Sequence, residues 1–283
     1  MRVDDFDLID AGDGARLERF DDHIVDRPQP GALAPRRSPE RWAEADLRFD
    51  RDRGWSGPGL EAARAGWPVR IGGLTMHLRP TDAGQVGLFP EHAQHLGWLA
   101  DEVTPRLATG APVAVLNLFA YTGLATLAMA SWGAAVTHVD AARPSVAWAR
   151  ENAAANGLAD RPVRWIVDDA RAFVRREARR GRRYEGIVLD PPSYGHGGGG
   201  PAWRLDDDLP DLLAVCAGLL ADDGFVLLSA HTEGFGAARL GSALRSALTV
   251  RPGVTTGMGE MELAAQSGAR LALGAYAFLG KRP

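Results

Sequence analysis

From about residue 110 onward, short apolar or β-branched runs alternate with longer alanine- and arginine-rich stretches whose apolar positions recur at helical spacing. The runs predict strands at Val113–Leu118, Val136–Asp140, Val163–Val167, Gly186–Asp190 and Phe225–Ser229. The stretches predict helices at Leu124–Trp132, Pro144–Asn156, Ala170–Arg180, Leu209–Leu220 and Gly236–Leu248. Strands alternating with helices make βαβ units, and hence a parallel sheet covered on both faces. A last pair of apolar runs, Gly257–Leu263 and Leu271–Leu279, flanks the turn-like AQSGAR and predicts an antiparallel hairpin at one edge. The expected architecture is α/β, with seven strands and the last one reversed.

The first hundred residues break this rhythm. Segments such as RPQPGALAPRRSPE and RDRGWSGPG are rich in Pro, Gly and Arg, with short strand candidates at Phe6–Ile9, Leu17–Phe20 and Leu74–Arg79. They predict a small β-containing lobe over 1–100 that serves as a substrate or lid lobe. A helix from about His92 leads into a main domain over 101–283. The chain is 46% hydrophobic and 24% charged, enough apolar residue for a sizeable core in an ordinary soluble composition.

Charge and cysteine content narrow the chemistry. The net charge of −4 lacks the basic signature of a protein that neutralises many phosphates, so a nucleic-acid partner would have to meet a local patch. The one cysteine, Cys216, cannot form an internal disulfide or build a zinc cluster, and its setting DLLAVCAGLL is that of a core helix. The N-terminus carries acids where a secretory leader carries bases, and no apolar run is of membrane-spanning length. A cytoplasmic protein with no membrane partner is the expectation.

In open parallel sheets, ligands bind beyond the carboxyl ends of the strands. The first strand of the main domain runs into LNLFAYTGLATLAMA, whose turn Phe119–Gly123 (with Tyr121 and Thr122) holds one glycine, Gly123, instead of the three of a dinucleotide fingerprint. That turn allows close backbone approach but makes a poor pyrophosphate cradle. The next strand ends on Asp140, placed to accept hydrogen bonds from both hydroxyls of a ribose. The third ends on Asp168 and Asp169, and a carboxylate there can accept from an adenine amino group, although Asp169 is equally well placed to cap the following helix. In strand order, these features describe an adenosyl ligand without phosphates.

The same residues resemble the class I S-adenosylmethionine-dependent methyltransferases. Within that class LNLFAYTGLATLAMASWGA, ARENAAANGL and LDPPSYG are similar to the branch containing bacterial large-subunit ribosomal-RNA methyltransferases. The resemblance covers roughly Leu116 to the C-terminus. It implies a Rossmann-like seven-stranded methyltransferase sheet, S-adenosyl-L-methionine as cofactor and methylation of an RNA base. The upstream GLFPEH resembles a glycine–aromatic segment of that branch, which implies that Phe89 and Glu91 border the cofactor.

The stretch IVLDPPSYGHGGGG carries the expected chemistry. Asp190 ends the strand, bordering both cofactor and acceptor. Pro191 and Pro192 fix the backbone and leave rigid carbonyls facing the acceptor, so that Asp190 and Pro191 hold an amino group in line with the methyl donor. Tyr194 offers a stacking wall, and His196–Gly200 reads as a mobile rim. Ser193 stands where a C5-directed cysteine would be needed, which leaves transfer to nitrogen or to an activated oxygen, with nitrogen the favoured acceptor atom. His231, at the end of the fifth strand, is a general-base candidate, with a structural or solvated role the more ordinary reading. His92 and His95, three apart, lack a third ligand in sequence, so no metal is expected. The arginines of RREARRGRR fall at a helix end away from the site, whereas Arg36, Arg37 and Arg41 are better placed for substrate. Two rival readings remain: the same chemistry on a small molecule or protein side chain, and a non-catalytic adenosyl-binding protein.

Overall fold

A computed structural model describes residues 5–195, 202–248 and 254–281. Contacts divide the chain into two units, residues 1–94 with 261–273, and residues 95–260 with 274–283.

The first unit is built on tight hairpins. Strands β1 (Phe6–Gly12), β2 (Ala15–Phe20), β3 (His23–Pro28), β4 (Leu47–Asp50) and β5 (Gly54–Ser56) form one sheet in that order, antiparallel except for β3 against β4. Asp13-Gly14 closes β1 onto β2 with φ of 52° and 76°, the left-handed pair that a two-residue turn demands. After the one-and-a-half-turn helix α1 (Leu60–Arg64), strands β6 (Trp67–Ile71) and β7 (Leu74–Leu78) form a separate hairpin. The sequence pattern misses β3 to β6: HIVDRP carries Asp26 and Arg27 at half-buried and buried positions, and β4, β5 and β6 are only three to five residues long. Glu18 and Arg27 are fully buried as an ion pair, with Arg16 beside Glu18 at 3.3 Å.

Asp10 ties this unit together. Its fully buried carboxylate accepts hydrogen bonds from the backbone of Ala11, Arg37 and Ser38, from Trp42 Nε1 and from Ser267 Oγ. Burial pushes its pKa up, but the hydrogen bonds outweigh burial and hold it below the usual aspartate value. A depressed carboxyl contributes stability above its ordinary range that disappears as pH falls through the folded pKa. Asp10→Ala, which orphans several buried donors, is expected to cost about 3 kcal/mol at pH 7 in urea melts. The gap from wild type should narrow in acid.

The second unit begins with α2 (Leu96–Ala108) and continues as β8 (Ala114–Leu118), α3 (Leu124–Trp132), β9 (Ala135–Asp140), α4 (Arg143–Ala155), β10 (Val163–Val167), α5 (Ala170–Arg179) and β11 (Tyr184–Leu189). A two-residue ribbon follows, β12 (Tyr194–Gly195) with β13 (Trp203–Arg204), and then α6 (Leu205–Leu219), β14 (Leu220–Ala230) and α7 (Ala237–Ala247). The last strands are β15 (Val254–Ala264) and β16 (Arg270–Lys281). The seven-stranded sheet runs β10-β9-β8-β11-β14-β16-β15. Strands β8 to β11 and β14 are parallel, and β16 is antiparallel to β14. This is the Rossmann-like arrangement with a reversed strand that the pattern predicts.

Two boundaries move for physical reasons. Helix α6 starts four residues earlier than its apolar pattern because Asp206, Asp207 and Asp208 fill its first turn, where carboxylates oppose the helix dipole; Pro210 therefore lies inside it. Strand β11 stops at Leu189, so Asp190 is the first residue beyond the strand and not its last. The core under the sheet packs Leu209, Leu212, Leu213, Cys216 and Leu219 of α6 against Leu116, Leu118, Ile187 and Leu228. Burial pushes the Cys216 thiol up to about 12, which fits an inert core residue.

The order of the strands positions the site. The chain leaves β8 toward β9 and β10 on one side, then returns to the other side as β11. The switch point lies between β8 and β11, directly beyond which come Phe119–Gly123 and Asp190.

Candidate active site

The turn after β8 is strained. Phe119 has φ 55°, Tyr121 has φ 49° and Gly123 has φ 97°, so left-handed residues alternate through five positions. Only the glycine adopts this without cost; an aromatic residue there costs on the order of 1–3 kcal/mol. Four hydrogen bonds impose the shape: Ala120 N–H to the Val139 carbonyl (3.1 Å), Tyr121 N–H to Asp140 Oδ2 (2.8 Å), Gly123 N–H to the Ala120 carbonyl (3.1 Å) and Asn152 Nδ2 to the Thr122 carbonyl (3.0 Å). Beneath the turn Asn117 donates to Thr126, whose hydroxyl lies 3.0 Å from His138 Nδ1. Burial holds His138 neutral, its pKa down to about 3, with the Tyr121 backbone partly opposing.

Asp140, at the end of β9, builds the turn. Its Oδ2 accepts from Tyr121 N–H and its Oδ1 from Ala142 N–H, each at 2.8 Å. Burial outweighs these bonds and raises its pKa above the ordinary aspartate value. The ionised form therefore costs the ligand-free protein stability as pH rises through the folded pKa, and a hydroxyl-bearing ligand offsets that cost. The affinity for S-adenosylhomocysteine, measured by calorimetry, is expected to fall on acidification at a pH above the ordinary aspartate range of about 3.9. Asp140→Asn should bind roughly 10-fold or more weakly at neutral pH and lose that pH dependence.

At the end of β10 the two aspartates divide. Asp168 pairs with Arg176. Asp169 is the N-cap of α5, with Oδ1 accepting from Ala172 N–H at 3.0 Å and Oδ2 lying 3.5 Å from Arg171. Its capping role is thus seen directly, and contact with an adenine amino group would use the remaining lone pairs of a carboxylate already held in place.

The acceptor corner is held on three sides. Ser229 Oγ donates to Asp190 Oδ1 at 2.6 Å, and His231 Nε2 lies 3.6 Å from Asp190 Oδ2. Pro191 is buried. The Pro192 carbonyl, expected to face the acceptor, accepts from Trp203 Nε1 at 2.6 Å. Ser193 Oγ lies 2.6 Å from Thr232 Oγ1, a structural tie. Tyr194 is 51% exposed, as a stacking surface must be. The proposed rim, His196–Gly200, lies outside the described residues.

Other candidates are accounted for locally. Phe89 is half-buried, its ring edge-on to His92 at 6.1 Å, and Glu91 is buried and acts electrostatically on Arg16. His95 is buried against Tyr276. Arg36 stacks on Trp42, Arg37 donates to the Gly268 carbonyl and Arg41 pairs with Glu44. Three contributors were not singled out in the sequence: Asn152, Ser229 and Trp203. Asn152 lies within the ARENAAANGL motif, and Ser229 stands two positions before His231 near the end of β14, where strand alternation puts both on one side.

The donor set suits an adenosyl sulfonium ligand. Asp140 is the last residue of β9, Asp169 and Asp190 follow the carboxyl ends of β10 and β11, and the turn 119–123 contains no basic side chain. Such a surface accepts from ribose hydroxyls and an amino group, tolerates positive charge and repels phosphate.

Fold and donor set together define a class I methyltransferase. A crystal structure of an S-adenosylmethionine-dependent methyltransferase from Agrobacterium tumefaciens superimposes with a TM-score of 0.91, at 35% identity, covering 99% of this chain and 92% of that one. The chain belongs to the S-adenosylmethionine-dependent methyltransferases. A putative methyltransferase solved with S-adenosylhomocysteine shares the fold at a TM-score of 0.78 and 16% identity, covering 99% of this chain and 76% of that one. The chain is also similar to the ribosomal RNA large subunit methyltransferases K/L of Methylococcus capsulatus (31% identity over 169 residues) and Shewanella frigidimarina (29% over 165). These alignments cover 59% and 58% of this chain but only 22% of each relative. No protein-family profile matches the chain. Among the described residues no helix is long and apolar enough to cross a membrane.

Proposed function

We propose that this methyltransferase acts on a nitrogen of a planar acceptor, an RNA base of the large ribosomal subunit, in the cytoplasm. The observation that carries the reading is the corner itself: a carboxylate pinned by Ser229, the buried Pro191 beside it and the exposed Tyr194 three positions beyond that proline. An amino group donates its hydrogens to Asp190 and the Pro191 carbonyl, which leaves its lone pair directed at the reacting carbon. Bound S-adenosylmethionine supplies a methyl group on a sulfonium. The protein's contribution is then alignment, which by itself lowers barriers by several kcal/mol. Tyr194 stacks on the base, a contact worth about 1–3 kcal/mol in nucleic-acid sites.

In this reading Phe119, Tyr121, Thr122 and Gly123 line the cofactor, Asp140 holds its ribose, Asp169 its adenine, and Phe89 and Asp190 border it. Residues 1–100 serve as substrate lobe and 101–283 as cofactor-binding domain. The resemblance to the K/L relatives supports an RNA acceptor. The net charge of −4 favours a second reading, a small molecule or protein side chain. Mass spectrometry of ribosomal RNA from a deletion strain decides between them: one large-subunit base should lose a methyl group, and an unchanged modification set would reject the RNA reading.

A further inference from the structure

The ribbon formed by β12 and β13 lies between the acceptor corner and the helix α6. Side chains on a strand alternate in direction, and here the alternation separates a buried Trp203 from an exposed Arg204. Trp203 is 3% exposed and makes three contacts with different parts of the site. Its Nε1–H donates to the Pro192 carbonyl at 2.6 Å, which fixes the corner. Its ring meets Phe119, in the strained turn after β8, with centroids 5.1 Å apart. The Arg171 guanidinium lies 5.7 Å from the ring centroid, and Arg171 also bridges Asp169 and Asp208. Asp208 Oδ2 in turn accepts from the backbone N–H of Arg204, so the ribbon is tied back to the same arginine.

One side chain therefore joins the corner to both elements that face the cofactor edge, the turn and the cap of α5. A buried side chain with discrete neighbours passes on a displacement because its packing leaves no slack. At the start of the corner the Asp190 N–H reaches the Leu118 carbonyl at 3.5 Å, and beyond it the Ser193 carbonyl accepts from the Leu205 N–H at 3.1 Å.

We propose that Trp203 is a positioning residue that couples the cofactor turn to the acceptor corner, so that the ribbon and the Asp190-Pro191-Pro192 backbone become rigid when the turn is occupied. The inference rests on reading that corner as the acceptor site, but its test uses the cofactor product alone and no acceptor. A coupling of this kind is a free energy shared between two sites, and backbone exchange reports it locally.

The experiment is hydrogen–deuterium exchange on the full chain with and without S-adenosylhomocysteine, following the peptide that carries the Gly195, Trp203 and Leu205 amides. In the wild type the ligand should slow exchange there about tenfold. In Trp203→Phe, which keeps a ring against Phe119 but loses the N–H, the ligand should still bind within about threefold by calorimetry and still protect the turn amides of Ala120 and Tyr121. The ribbon should no longer respond. A residue that only fills the core would shift the protein's melting temperature and leave the ligand-induced protection intact. If Trp203→Phe does not fold, 3-benzothienylalanine at position 203 removes the donor with the bicyclic shape retained. A wild-type ribbon that ignores the ligand, or a variant ribbon that responds like wild type, overturns the proposal. Failure to methylate RNA would reject the proposed acceptor and leave this result untouched.

Discussion

Asp190→Ala is expected to lower the methyl-transfer rate about 100-fold or more while S-adenosylhomocysteine binds within about threefold of wild type. The reason lies in what the carboxylate does. In the proposed reading it donates nothing and forms no covalent bond; it accepts hydrogen bonds from the nucleophile and so fixes the direction of a lone pair. Its loss leaves the acceptor free to rotate over the corner, and misplacement by an ångström is enough for such a fall. Asp190→Asn keeps one carbonyl-type acceptor and should retain more activity than the alanine variant. Ser229→Ala is a sharper comparison, because it leaves the charge and releases only the 2.6 Å bond that orients it. Its effect should appear in kcat and be smaller than that of Asp190→Ala. Quench-flow single turnovers with saturating cofactor separate these cases from product release. An alanine variant that transfers methyl groups at the wild-type rate would remove Asp190 from the chemistry.

The parallel half of this protein was legible because its periods are clean. Each of the strands β8 to β11 carries three consecutive apolar or β-branched residues, and the helices between them hold the 3.6-residue repeat. Asp140, Asp169 and Asp190 could be proposed from the sequence because strand ends are where an α/β sheet presents its ligand-binding side chains. What stayed hidden depends on contacts between residues far apart in sequence. Asn152 reads as a helix interior residue until its amide is seen on the Thr122 carbonyl thirty positions earlier. Trp203 reads as an aromatic after a glycine run until its indole meets Pro192 and Phe119. The first unit was hardest to read, since Glu18, Arg16 and Arg27 bury charge against charge and so erase the polar–apolar alternation that marks a strand.

Gly123→Val should be the most damaging single substitution in the cofactor turn, for two separable reasons. At φ 97° a β-branched residue is a genuine outlier, and the left-handed region alone costs about 1–2 kcal/mol for an ordinary side chain. A Cβ at this position would also lie 3.1 Å from the Ala149 Cβ on α4 and 3.7 Å from Leu127 Cγ, so the two further methyls of valine force the helix or the turn to move. Overpacking of that kind adds about 1–3 kcal/mol. The expected total is about 2–5 kcal/mol in chemical denaturation, with cofactor affinity down at least tenfold because Thr122 and Tyr121 are displaced with the backbone. Gly123→Ala separates the causes. It brings the Cβ but not the extra methyls, so its loss should be about 1–3 kcal/mol, mostly torsional. Adding Ala149→Gly removes the opposing methyl and relieves only the steric part, at the price of a glycine inside α4, which itself costs about 1 kcal/mol. If the double variant regains full affinity, the glycine is required for space; if affinity stays low, it is required for φ. The alternation of left-handed residues at 119, 121 and 123 favours the second outcome, because the Tyr121 N–H reaches Asp140 only while that backbone shape holds.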